Sequence, residues 1–147
     1  MGQIIFEKRD GKYDAMFVER RGALEEIACP KQPPIPHDMF HYAVEHVLKL
    51  NGFIHRVAAG EGVGFRMTEE AESEAVERLV ETMQADSWSG RPPPAEVIDL
   101  FLTTCGARST QPITLSEEAI IAIRAEIHRL SEAWNALPVR GRMTLDV

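Results

Sequence analysis

Apolar and polar residues alternate over residues 3–9 and 12–20, a period of two that puts one face of each segment inward and predicts two β-strands. Asp10-Gly11 lies between them and is expected to form a two-residue hairpin turn, because both residue types tolerate positive φ. Arg21-Gly22 marks a second turn, and residues 23–29 return as a third strand of imperfect alternation. Pro30, Pro33, Pro34 and Pro36 then end the sheet, since proline donates no ladder hydrogen bond and holds the chain extended.

Beyond Pro36 the period changes to that of a helix. Met39, Phe40, Ala43, Val44, Val47, Leu48 and Leu50 share one broad arc, and the helix is expected to stop near Asn51-Gly52, where glycine supplies a left-handed cap. A short apolar run at 53–59 leads to Gly60-Glu61-Gly62-Val63-Gly64, which lacks the GxGxxG spacing and the P-loop lysine and therefore reads as a connector. Thr68 is placed to cap a helix reaching Ala85, with Val76, Leu79, Val80 and Met83 inward and its glutamates facing solvent. Residues 86–93 break the chain. Pro94 then opens a helix carrying Val97, Ile98, Phe101, Leu102 and Cys105 inward and closing at Gly106. Thr114-Leu115-Ser116-Glu117 is a capping-box pattern, and Ile120, Ile123, Ile127, Leu130, Trp134 and Leu137 follow at steps of three and four until Pro138. Met143, Leu145 and Val147 alternate over 142–147, as a half-buried strand closing the N-terminal sheet would.

Strands first, helices next and one strand last give an α+β fold: an N-terminal hairpin or three strands plus a C-terminal strand, packed against four to five helices. The 147 residues suit a single domain, with a β-rich start (1–29), a proline-rich loop (30–36), a helical body (37–137) and a terminal strand (142–147). The seam on the last helix is expected to pack within the chain as a monomer, with a homodimer seam as the alternative.

Composition narrows the function classes. The formal charge is −7, and the acidic stretch between Glu61 and Asp86 would repel a phosphate backbone, so no nucleic-acid partner is expected. Lys8, Arg9, Lys12, Arg20 and Arg21 sit at turns, where solvation accounts for them. Cys29 and Cys105 have no CxxC or CxxH spacing and read as buried thiols. No apolar run suits a membrane span and the first residues are too charged for a signal peptide, which leaves a cytoplasmic location.

The candidate chemistry is concentrated at the start of the first helix. His37, His41 and Glu45 follow one another at steps of four and stack along one flank. Two imidazoles so spaced can grip one divalent transition metal, with the carboxylate as third ligand and Asp38 as orienting group or base. Asp38 stands where the HExxH helix of metalloproteases has its glutamate, and is shorter. His46 projects away, leaving His55 and His128 as the other histidines, either of which the fold would have to bring in as an extra ligand. The structural alternative has Asp38 stabilising the helix start, His37 bonding backbone and His41 packing beside Glu45 at the core boundary; metal-free acid–base catalysis is a third option. No cofactor-binding motif is present. The expected function is a small ligand-binding or interaction domain, the alternative a metal-dependent hydrolase-like enzyme using His37, His41 and Glu45.

Pro36-His37-Asp38-x-x-His41-x-x-x-Glu45, followed by Gly52-Phe53, by Val57-Ala58-Ala59-Gly60 and by Trp134-x-x-Leu137-Pro138, resembles a group of bacterial proteins with a β-rich start, this helix and a helix–strand end. The resemblance covers most of the chain and is most specific between residues 36 and 60. It implies a bacterial cytosolic protein of unassigned activity and brings no catalytic residue with it. Those relatives carry a small residue, in a GFWG-like run, where this chain has His55.

Overall fold

The computed structural model describes residues 2–50, 54 and 71–147. Its elements run β1 (Gln3–Glu7), β2 (Tyr13–Arg20), β3 (Ala23–Pro30), α1 (His37–Leu48), α2 (Ala71–Ser87), α3 (Pro94–Ala107), α4 (Glu117–Asn135) and β4 (Arg142–Asp146). The four strands form one antiparallel sheet in the order β3-β2-β1-β4, and four helices stand among the described residues, an α+β arrangement. None of those helices is long and apolar enough to cross a membrane.

The period-two pattern sorts the sheet into two faces. Ile4, Phe6, Met16, Val18 and Leu145 are buried, and the register sets Ile4 opposite both Val18 and Leu145, and Phe6 opposite Met16. These cross-strand pairs are the unit that holds an antiparallel sheet together. Phe17 points the other way. The guanidinium groups of Arg9 and Arg142 lie 5.9 and 4.8 Å from the centre of its ring, and both arginines bond the Glu7 carboxylate, at 2.5 and 2.7 Å. Charge and cation–π contact thus cover an aromatic ring that would otherwise face water.

Two turns differ from expectation. Pairing between β1 and β2 ends at Glu7 opposite Ala15, and β2 begins at Tyr13 against Pro30 of β3, so residues 8–12 form a longer loop and neither Asp10 nor Gly11 takes a positive φ. The backbone of Lys8 is drawn away from β2: its N–H donates to Gly141 and its carbonyl accepts from Arg140. The Asp14 carboxylate holds the rest, accepting from the Arg9 N–H at 2.8 Å and from Lys31 Nζ at 2.6 Å. The tight turn is at Arg21-Gly22, where Arg20 pairs Ala23 and the two central φ values are 52° and 80°, a type I′ geometry.

Helix boundaries shift similarly. α1 stops at Leu48 with Lys49 as its left-handed cap (φ 56°), and not at Gly52, which lies outside the described residues. The run at 53–59 other than Ile54, the glycines at 60–64 and Thr68 lie outside them too. α3 buries Val97, Phe101 and Cys105 but leaves Leu102 exposed, one residue off the inward face, and runs one residue past Gly106. α4 is capped by Ser116, whose Oγ accepts from the Ala119 N–H at 3.1 Å, and not by Thr114. Its seam residues Ile120, Ile123, Ile127, Leu130 and Trp134 are all buried within the chain. β4 pairs along β1, and Tyr42 on α1 donates to the Asp146 carbonyl at 2.9 Å, tying the sheet edge to the helical layer.

Candidate metal centre

α1 packs against α2, α4 and β3, so residues 38–45 are buried without interruption. Over these residues the helix has no solvated flank. Each polar side chain on it therefore needs a partner, since an uncompensated buried charge costs several kcal/mol.

His41, with 3% of its side chain exposed, has a carboxylate oxygen close to each ring nitrogen. Nδ1 lies 3.4 Å from Oε2 of Glu45, one turn on, and Nε2 lies 3.4 Å from Oε2 of Glu77 on α2. The Glu45 carboxylate is fully buried and also accepts the Ile54 N–H at 3.2 Å. The His37 ring meets His41 edge-on, with centroids 5.1 Å apart, and its Nδ1 is 2.6 Å from the side-chain amide of Gln84. Gln84 in turn reaches Gln32 in the proline-rich loop at 2.5 Å. One ligand atom each from His37, His41 and Glu77 lies within 4.8 Å of the others.

The remaining sequence candidates go elsewhere. Asp38 turns toward β3, where its Oδ2 accepts the Cys29 thiol at 2.8 Å. Burial and then the Asp38 charge push the thiol far above its ordinary range, so Cys29 stays protonated. His46 is exposed and stacks on Tyr42, while His128 is exposed on α4 with Glu132 at 2.7 Å. His55 lies outside the described residues. Glu45 stays with the group, but behind His41, at the nitrogen turned away from Glu77.

Glu77 is the member that sequence periodicity assigns to solvent. Its side chain is 29% exposed because α2 is covered on several sides: Ser73, Arg78, Thr82, Gln84 and Asp86 are buried alongside the apolar face. One signal was present. Glu77 and Gln84 are seven residues apart and so nearly in line on a helix, matching the two histidines four apart on the facing helix.

No family model, curated protein or solved structure matches this chain.

Burial disfavours the charged form of His41, yet the hydrogen bonds to Glu45 and Glu77 outweigh it and push the imidazole up to about 10. Burial likewise opposes ionisation of Glu77, but the His41 bond and charge win and hold its carboxyl below the usual range. His37 moves the other way, lowered by burial and then by the neighbouring His41 charge, so it is neutral near pH 7. Glu45 and Glu77 thus face the two nitrogens of one imidazole from two different helices.

Proposed function

We propose that the protein binds a divalent transition metal ion through His37, His41 and Glu77, with Glu45 orienting His41 from behind. The observation that carries this is the convergence of one ligand atom from each of the three residues within 4.8 Å. The spacing of His41 Nε2 and Glu77 Oε2, 3.4 Å, is the edge of a tetrahedron whose bonds are about 2.1 Å, the length of zinc–imidazole and zinc–carboxylate bonds. A buried carboxylate on the far nitrogen of a ligating histidine is the usual way such a ring is fixed. Three protein ligands leave a coordination position open, and a metal ion held this way would supply Lewis-acid activation of water, the chemistry of a hydrolase-like enzyme. Asp38 is left out of the ligand set, because its Oδ2 accepts the Cys29 thiol.

A second reading rests on the raised proton affinity of His41: an imidazolium bridging two carboxylates as an internal strut of a ligand-binding or interaction domain. Titrating metal-stripped, untagged protein with zinc, manganese, nickel and iron(II) separates the two. One equivalent should bind, with a rise in Tm, and Glu77→Gln should lose the uptake while keeping its circular dichroism. Absence of uptake and of any thermal shift with all four metals would overturn the metal reading.

A further inference from the structure

We infer that Gln84 turns the oxygen of its side-chain amide, and not the nitrogen, toward Nδ1 of His37, fixing that ring as the Nδ1–H tautomer with Nε2 bare for a ligand. Two contacts meet at one end of the amide, where the structure places Nε2: 2.6 Å to His37 Nδ1 and 2.5 Å to the amide of Gln32. The two ends of an amide have the same shape, and only their hydrogen bonds tell them apart. With nitrogen inward, Gln84 donates to both neighbours, and His37 must carry its proton on Nε2. With oxygen inward, it accepts from His37 Nδ1–H and from a Gln32 amide turned the same way.

Among the described residues neither glutamine has another side-chain hydrogen bond that would fix its orientation, so both can turn together without losing a partner. Two observations favour the oxygen. A separation of 2.6 Å suits the smaller oxygen acceptor better than a pair of nitrogens. His41 also already has an acceptor, Glu45, behind the ring nitrogen that faces away from Glu77, and an acceptor behind His37 gives both rings the same arrangement. Gln84 is then a positioning residue reached through Gln32 from the proline-rich loop. Its role at a metal rests on the function proposed above, whereas the tautomer does not.

Long-range nitrogen–proton NMR of metal-free protein at neutral pH reads the tautomer directly. The expected result is a protonated Nδ1 and a bare Nε2 on His37, changing toward the Nε2–H form in Gln84→Leu. Zinc affinity should fall about 10–100-fold in Gln84→Leu and be kept in Gln84→Glu, which retains an acceptor oxygen. An Nε2–H tautomer in the wild type, or equal losses in the two variants, would overturn the inference. The expected tautomer without any zinc uptake would uphold the role of Gln84 and remove the metal from the account.

Discussion

At the scale of single residues, His41 is the group whose protonation the two readings treat oppositely. Its folded-state value, about 10, lies above the ordinary 6.5. Because the folded value is raised, its contribution to stability is complete below pH 6.5 and is lost as pH rises through about 10. Metal-free protein should therefore lose stability between about pH 7 and 10, and protein saturated with zinc should instead lose it on acidification, as protons compete for the imidazoles. Urea midpoints across that range, with and without zinc, check both slopes; a flat profile in the metal-free protein would contradict the placement of His41 between two carboxylates. His41→Ala should abolish metal uptake and, without metal, destabilise by about 1–3 kcal/mol, because the buried Glu45 carboxylate loses the imidazole. The two histidines and Glu45 were legible from their spacing alone. Glu77 was not, because a glutamate among glutamates reveals its neighbour only once α2 is laid against α1.

At the scale of elements, the strands followed from alternation, but the turns were decided by contacts distant in sequence. Asp10-Gly11 has the better hairpin composition, yet Lys8 pairs with the backbone of the turn before β4 and Asp14 gathers Arg9 and Lys31, opening that loop. Arg21-Gly22 is free of such competition and takes the type I′ turn. Gly22 sits at φ 80° with open space around its α-carbon, so Gly22→Ala should cost about 1 kcal/mol from backbone strain alone. Gly11 has the same open space and no positive φ, so Gly11→Ala should be neutral or stabilising by less than about 1 kcal/mol. Thermal denaturation of the two variants distinguishes them; equal losses would contradict the turn assignment. The helix caps follow the same pattern: Lys49 and Ser116, and not Gly52 and Thr114, end and begin their helices, because tertiary packing selects the boundary within a permissive stretch.

At the scale of the whole molecule, the order of elements in the sequence already implied an α+β layering, since each amphipathic segment has one face to bury. The α4 seam is part of that burial. Ile127 is enclosed within the chain, so Ile127→Asp should unfold the protein, a loss of more than about 3 kcal/mol, and not merely release a folded monomer. Circular dichroism together with sedimentation decides between these outcomes. What the layering produces is an α1 enclosed by α2, α4 and β3, which brings a glutamate and a glutamine from one helix onto two histidines of another. X-ray absorption at the zinc edge of protein loaded with one equivalent tests that assembly most directly. The expected spectrum has a first shell of nitrogen and oxygen at about 2.0–2.2 Å with the multiple scattering of two imidazoles and no sulfur. A sulfur scatterer at about 2.3 Å, or a shell without imidazole, would contradict it.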